Sequence, residues 1–379
     1  MRISLFSDLV CPICLNELDL FVFEKRREDI FRGTLSCKTC DARYSIKDGL
    51  PYLILSDKNW TRKKDEIKGE MLFLYKELPT QTRIEYGTFE SLRTKFILDR
   101  LKINGLKVLN VGCQMCIDSY LLVKEYNCNV YSLDIEPATL IIADDILNKN
   151  KLTTPLLCAD GEWLPFKNET FDMVFCRQTL HHFPNIERGL EEFFRVTKIN
   201  GLVVVVDEPI TGYFRQKITK LLPGFLKEGL KNMLYDEHGT VVEDLHEKTE
   251  SGAGLLSHSH IKSTLNLEKV ISVLKKFTSN FSVLGSYGKL WLERNKDNVI
   301  ITRYKSDSML ERILREYIPT IFSESTTIIA KKTVEINRNY RSERIRPVNP
   351  NKIKFHINIK KESKDTISIF KKIFKNTFR

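Results

Sequence analysis

Lys107-Val108-Leu109-Asn110-Val111-Gly112-Cys113 is a run of strand-forming residues that stops at a glycine. A helix-patterned stretch, Ile117–Glu125, follows, and then Asn129–Leu133, a second apolar strand that ends in Asp134. The alternation continues outward. Ala138–Leu147 reads as a helix, Pro155–Cys158 as a strand ending near Asp160, and Phe171–Cys176 as a strand. Ile186–Val196 then reads as a helix and Leu202–Val206 as a strand. Strands that alternate with helices in this way require a parallel sheet with helices on both faces. The expected fold class is therefore α/β, a doubly wound Rossmann-like and mainly parallel sheet.

Beyond Asp207-Glu208-Pro209 the rhythm breaks. Residues 210–262 are rich in Gly, His and charge and too long for a simple connection, so they read as an insert. Glu268–Phe277 is an expected helix, and Phe281–Glu293 a strand with a glycine interruption. Met309–Phe322 is a further expected helix and Thr326–Lys331 a last strand. The chain divides into a small unit at 1–56, a helical linker at 57–104, the α/β unit at 105–335 and a basic tail at 336–379.

The glycine turn and the acids have a shared logic. A glycine after the first strand lets backbone approach a ligand, and an acid at the end of the next strand takes ribose hydroxyls. Gly112 and Asp134 stand in that relation, and Asp160-Gly161 could meet an adenine edge. His181 and His182 follow the fourth strand, and Asp207 and Glu208 end the fifth. All four fall at the carboxyl edge of the sheet, where ligands bind, so they are the candidate bases; the alternative for the histidines is a helix cap or simple packing. The insert carries Asp236-Glu237-His238-Gly239, His246, His258 and His260, which read as a solvated polar lid or as cleft and second-metal candidates.

Nine cysteines divide into two pairs near the start and five scattered residues. Cys11-Pro12-Ile13-Cys14 and Cys37-Lys38-Thr39-Cys40 are separated by 22 residues. Two such turns present four thiolates to one point, the donor set of a tetrahedral zinc site, and four cysteines leave no open coordination position. The expectation is structural Zn2+ held by Cys11, Cys14, Cys37 and Cys40, supplying folding energy to a unit with little core of its own. An isolated redox pair or chance cysteines are the competing readings. Cys113 and Cys116 lack a second pair and read as packing cysteines.

Of the 379 residues, 42% are hydrophobic and 29% charged, which excludes a globally disordered chain. No apolar run reaches the ~18 residues of a membrane span, and the first residues have no apolar segment of signal-peptide type. A cytoplasmic location is the expectation. The net charge of +11 is not spread evenly. Residues 331–379 hold 15 basic and four acidic residues, and the remaining chain balances 45 against 45. In the tail, Ile367, Phe370, Phe374 and Phe378 fall on one helical face, with Lys371, Lys372 and Lys375 on the other. A basic amphipathic helix suits an anionic membrane surface, which would make the protein peripheral at the inner membrane face. RNA phosphate and docking on the body are the alternatives.

The ordered set of stretches resembles class I S-adenosylmethionine (SAM)-dependent methyltransferases of the small-molecule type. They are Val108–Cys113, Tyr131–Pro137, Asp160–Phe166, Phe171–Phe175 and Leu180-His181-His182-Phe183, followed by Asn200–Val206. The resemblance implies SAM as cofactor. Gly112 and Cys113 would line its methionine part, with Asn110 in place of the family's first-motif acid. Asp134 would bind the ribose, Asp160 and Gly161 would sit at the adenine, and Gln178 or Thr179 would wall the site. The resemblance is specific for the fold and not for a substrate; a small-molecule, lipid-linked or saccharide-linked acceptor is the expectation, with an RNA methyltransferase or RNA-binding module, and a non-catalytic scaffold, as the other readings. The family's first motif has glycines where this chain has Gln114 and Cys116, and a side chain at Gln114 crowds the cofactor's approach. No N-P-P-[YF] sequence follows the fourth strand, which counts against amide and adenine-amino acceptors. The cysteine unit resembles the zinc ribbons that activate tRNA and protein methyltransferases, and the order ribbon-then-methyltransferase resembles bacterial large-subunit rRNA guanine methyltransferases.

Overall fold

The computed structural model describes residues 1–61, 63, 89–209, 265–286, 292–295, 298–301, 325–334 and 346–348. The strands are β1 (Asp19–Arg26), β2 (Asp29–Ser36), β3 (Arg43–Lys47), β4 (Leu50–Leu53), β5 (Leu55–Ser56), β6 (Lys107–Val111), β7 (Asn129–Asp134) and β8 (Leu156–Ala159). They continue with β9 (Phe171–Arg177), β10 (Thr197–Pro209), β11 (Phe281–Ser286), β12 (Leu292–Asn295), β13 (Asn298–Ile301), β14 (Ser325–Lys331) and β15 (Arg346–Pro347). The described helices are α1 (Ile3–Phe6), α2 (Phe89–Leu101), α3 (Ile117–Tyr126), α4 (Pro137–Lys149), α5 (Ile186–Val196) and α6 (Leu267–Phe277). The expected strand over Phe281–Glu293 is two separate strands. The expected helix over Met309–Phe322, the insert 210–262 with its histidines and acids, and the amphipathic tail helix lie outside the described residues.

One sheet of 11 strands runs in the order β1-β2-β3-β4-β8-β7-β6-β9-β10-β14-β11. From β4 to β10 every neighbouring pair is parallel. β14 runs antiparallel to both β10 and β11. This is a Rossmann-like parallel core with class I methyltransferase topology. The order reverses between β6 and β9, because the chain winds outward through β7 and β8 on one side and through β10 on the other.

The two faces are covered by different helices. Leu109 and Val111 of β6 pack with Leu190, Phe193 and Phe194 of α5 and with Val270 and Leu274 of α6. Val108 packs on the opposite face with Ile97 and Leu98 of α2 and Leu122 of α3. β9 is buried on both sides from Met173 to Cys176, as a central parallel strand must be.

The cysteine unit does not stand apart from this sheet. Its strand β4 pairs in parallel with β8 through Tyr52↔Cys158 and Leu53↔Ala159. Leu9 bridges Phe166, and Val10 N–H donates to the Pro165 carbonyl at 3.0 Å. Asp8 accepts from Lys107 Nζ at 2.8 Å and from Tyr131 Oη at 2.7 Å. Leu5, Ile30, Leu35 and Leu53 are fully buried in the same core as Leu109 and Phe166. Each such side chain contributes on the order of 1.5–3 kcal/mol. The unit thus shares a large core with the α/β sheet, which adds to whatever folding energy a metal supplies.

The start of the basic tail also joins the body. Arg346 and Pro347 pair with Ser56 and Leu55, and Val348 N–H donates to the Ile54 carbonyl at 2.9 Å. Among the described residues no helix is long and apolar enough to cross a membrane.

Candidate cofactor cleft and cysteine cluster

The four sulfurs of Cys11, Cys14, Cys37 and Cys40 all lie within 4.8 Å of one another. Cys11–Cys40 is 3.5 Å, Cys14–Cys37 3.4 Å and Cys14–Cys40 3.6 Å. A tetrahedron with Zn–S of about 2.3 Å has edges of about 3.8 Å, so the set fits zinc. All four are free thiols. Each turn is built alike: the residue after the second cysteine is left-handed, with φ 59° at Leu15 and 55° at Asp41. Tyr44 Oη lies 3.3 Å from Cys11 Sγ and can donate to the thiolate, an outer-shell contact that fixes a ligand.

The second site opens where the strand order reverses. A cleft of about 760 Å³, its open mouth included, is lined by Gly112, Asp134, Asp160, Gly161, Gln178, Thr179 and His182. Seven of the twelve cofactor-binding and catalytic residues expected from sequence therefore meet there. Leu133, Ile135, Ala159 and Phe183 supply apolar wall, and Lys63, Gln114 and Glu136 add polar groups.

The turn after β6 is left-handed at Gly112, with φ 70°. A Cβ there would stand 2.1 Å from Thr179 Oγ1, so only glycine fits. The two positions that replace glycine keep the glycine-type backbone: φ is 43° at Gln114 and 62° at Cys116. A left-handed non-glycine residue costs roughly 1–2 kcal/mol. The turn therefore holds its shape at the expense of strain at both residues.

Asp134 anchors this turn. Its Oδ2 accepts Gln114 N–H at 2.8 Å and its Oδ1 accepts Glu136 N–H at 3.0 Å. Burial raises its pKa, and these backbone donors pull the other way. A carboxylate has about four acceptor sites, so capacity remains for two hydroxyls from the cleft. Glu136 caps α4 by accepting Ala138 N–H at 2.9 Å and Thr139 N–H at 2.5 Å. Burial pushes its carboxyl up to about 8 despite those bonds.

At the other end of the cleft, a Cβ on Gly161 would stand 2.3 Å from the Phe183 ring. The bare glycine lets that ring form a flat apolar wall beside Asp160. Asp160 Oδ1 accepts Glu162 N–H at 2.9 Å, and Lys63 Nζ reaches Oδ2 at 2.5 Å. The set fits a nucleoside with an amino-acid extension: apolar walls, two carboxylates and a backbone turn anchored on one of them.

The remaining expected residues lie outside the lining. Asn110 Nδ2 donates to Ser119 Oγ at 2.8 Å, and Ser119 joins Ser132 at 2.8 Å, a buried chain beneath α3. Cys113 and Cys116 pack with Leu140 and Ala143 of α4. Glu208 accepts Thr179, Leu180 and His181 N–H at 2.8, 2.8 and 3.1 Å, and meets His181 Nδ1 at 2.8 Å. It holds the turn after β9 and is fully committed there. His181 stacks on His182 with ring centroids 4.0 Å apart. Asp207 is left-handed with φ 59° and accepts Gln178 Nε2 at 3.3 Å. Of the four candidate bases, His182 alone lines the cleft.

Sequence reasoning missed Lys63 and Glu136. Glu136 had a signal, an acid directly before Pro137 at a helix start. Lys63 had none, since it meets Asp160 across 97 residues.

A family model described as "Methyltransferase domain" matches residues 109–205. Methyltransferase GfsG of Streptomyces halstedii is 23% identical over 219 residues, 54% of this chain and 79% of that protein. Phosphoethanolamine N-methyltransferase 1 of Triticum aestivum is 25% identical over 154 residues, 40% of this chain and 30% of that protein. 2-Methyl-6-phytyl-1,4-hydroquinone methyltransferase of Synechocystis is 32% identical over 103 residues, 27% of this chain and 32% of that protein. The chain thus spans less than a third of the length of the last two. The strand order, the cleft and the matched segment together describe a class I SAM-methyltransferase-like fold that carries a four-cysteine cluster of zinc-site geometry at its N-terminal end.

Proposed function

We propose that the cleft binds S-adenosylmethionine and that the chain methylates a small-molecule or lipid-linked acceptor. The observation that carries this reading is the convergence of the Gly112 turn, Asp134 and Asp160 on one cleft at the switch point. Asp134 would take the ribose hydroxyls, and Asp160 and Gly161 the base. The Gly112–Gln114 turn would lie along the amino-acid part. Relatives named for phosphoethanolamine and for a phytyl hydroquinone as acceptors support a small or lipid-linked substrate.

The bound cofactor supplies an electrophilic methyl group. The chain's own contribution is alignment, exclusion of water and removal of the acceptor's proton. His182, which lines the cleft, would serve that last step. Its ring rests on His181, and Glu208 fixes His181 through Nδ1. Cys11, Cys14, Cys37 and Cys40 would fill all four positions of a tetrahedral zinc, so the metal's role would be structural.

The test is a transfer assay with methyl-labelled SAM and a panel of phosphorylated amines, phenols, quinols and lipid-linked sugars. Label transfer that is lost in His182→Ala, with SAM binding retained, supports the reading. Absence of cofactor binding by the zinc-loaded protein overturns it.

A further inference from the structure

The 11-stranded sheet begins at β1, which among the described residues pairs with β2 alone. Its sequence is Asp19-Leu20-Phe21-Val22-Phe23-Glu24-Lys25-Arg26. Three consecutive apolar side chains at its middle are exposed: Phe21 by 52%, Val22 by 39% and Phe23 by 71%. The core of the unit is filled from the same hairpin by Ile30 and Leu35 of β2, both fully buried. Edge strands are usually blunted by proline, by a central charge, by short length or by a bulge. β1 has eight residues, no proline and no charge among Phe21, Val22 and Phe23. Its ladder with β2 is irregular between Val22 and Lys25 and returns to register at Lys25↔Ile30, so the strand keeps its course along the edge.

The charges are sorted along the strand. Asp19 opens it, with Glu17 exposed just before, and Lys25 stands near its end, with Arg27 exposed just after. An antiparallel copy centred on Val22 therefore places Asp19 opposite Lys25 and Glu17 opposite Arg27, each pair occurring twice about a two-fold axis. The same register sets Phe21 opposite Phe23, and Val22 meets its own copy on the axis. Aromatic and opposite-charge pairs are the ones that stabilise antiparallel strands. Asp19 also meets Lys38 at 3.1 Å, but that lysine is 85% exposed and the contact is a weak competitor. An anionic lipid surface or a nucleic-acid phosphate would face Glu17, Asp19, Glu24, Glu28 and Asp29 on this hairpin. A second copy instead pairs Glu17 and Asp19 with bases.

We propose that β1 is a self-association edge: two copies of this chain join antiparallel about Val22 and form a homodimer with one continuous sheet. The partner copy covers Phe21, Val22 and Phe23 and supplies hydrogen-bond partners to the free backbone edge. The inference does not depend on the cofactor reading. The cleft opens where the strand order reverses between β6 and β9, away from β1, so the dimer leaves it accessible. A pair of eight-residue strands buries less than the ~800 Å² per partner of a standard interface. The dimer is accordingly a weak one, with a dissociation constant of about 1–100 μM.

The experiment is sedimentation velocity of the full-length, zinc-loaded protein from about 1 to 200 μM, a range that brackets that dissociation constant. Wild type should pass reversibly from monomer to dimer. Val22→Lys puts a cation on the axis opposite its own copy and should leave only monomer. Asp19→Lys and Lys25→Asp should each weaken self-association about tenfold or more, because like charges then oppose each other twice. The double variant D19K/K25D should restore it to within about threefold of wild type, which fixes the register. Should Val22→Lys fail to fold by circular dichroism, the two single exchanges and their double carry the test. A wild type that stays monomeric at the highest concentration overturns the inference. So does a dimer that survives Val22→Lys and both single exchanges, since it is then held elsewhere. A monomer that binds anionic vesicles or RNA, and loses that binding in Val22→Lys, also overturns it and gives the edge to that ligand.

Discussion

Thr179 lies directly over Gly112: a Cβ built on the glycine would stand 2.1 Å from Oγ1, 2.3 Å from Cγ2 and 2.6 Å from Cβ of the threonine. The ends of β6 and β9 are thereby locked together at the switch point. Gly112→Ala should cost roughly 1–2 kcal/mol for the left-handed backbone and a further 1–3 kcal/mol for overlap. It should weaken S-adenosylhomocysteine binding more than about tenfold, a loss of over 1.4 kcal/mol. The G112A/T179G pair should recover the overlap and not the backbone cost. Urea unfolding and calorimetry of both variants check this.

Gln114 and Cys116 make the opposite prediction. Both hold left-handed backbone with a side chain present. Gln114→Gly should relieve roughly 1–2 kcal/mol of strain against an entropic loss of roughly 0.5–1 kcal/mol. The net gain in stability is small, and the gain in SAM affinity from an unobstructed turn should be larger. An unchanged affinity in Gln114→Gly would show that the side chain does not obstruct the turn, and a weakened one that it contributes a contact to the ligand.

How much of this was legible beforehand follows from what each feature depends on. The β6–Gly112–α3 turn, Asp134 and Asp160 are local patterns of apolar strand, glycine and acid, and they were readable. The four cysteines were readable from spacing alone. The splice of β4 onto β8 was not, because Tyr52↔Cys158 is a pairing between segments a hundred residues apart with no periodic signal. Nor was the role of Glu208, which looks like a base at a strand end and is used to hold three N–H groups and His181. Arg195 is similar. It is fully buried, yet sequence gives it as a polar helix residue. Its guanidinium pairs with Glu192 at 2.8 Å and holds the Leu164 and Phe166 carbonyls at 2.8 and 2.7 Å, fixing the loop after Asp160.

The cysteine cluster should hold one zinc per chain by elemental analysis. Because β4 and β8 share one sheet, removing the metal should not release a separate unit. A Cys37→Ser variant should unfold in one transition, lowered by roughly 5 °C for a loss of ~4 kcal/mol. Two well-separated calorimetric transitions would contradict the continuous core.

Stability should fall as pH rises toward 8. Glu136 is held protonated up to about 8 in the fold, against an ordinary value of 4.5. Between those values the folded chain keeps a proton that the unfolded chain has lost, so alkalinisation favours unfolding. Glu162, pushed up to about 7, acts in the same sense. Asp57, held below its ordinary value by Lys63 against the effect of burial, acts in the opposite sense and only at acid pH. Urea midpoints of wild type should therefore drop between pH 6 and 8, and Glu136→Gln should flatten that slope. A slope that survives the substitution would assign the effect elsewhere.

The tail offers a separable test. Truncation after residue 348 retains the Arg346↔Ser56 and Pro347↔Leu55 pairing. We propose from the Phe/Ile and Lys pattern of residues 367–378 that the tail binds an anionic membrane surface; binding to vesicles of anionic phospholipid should then be lost on truncation, and binding to neutral vesicles should be absent in both forms. Retained vesicle binding by the truncated chain, or a salt-dependent affinity for RNA lost in its place, would remove the membrane-surface proposal.

The central claim is a nucleoside cofactor held between Asp134 and Asp160. Calorimetric titration of the zinc-loaded, full-length protein with S-adenosylhomocysteine tests it most directly, with Asp134→Asn as the control. The account predicts one site per chain, and an affinity lowered by about tenfold or more in Asp134→Asn, the range of one or two hydrogen bonds to a charged group. A folded wild type that shows no binding, or an Asp134→Asn variant that binds as wild type does, would contradict it.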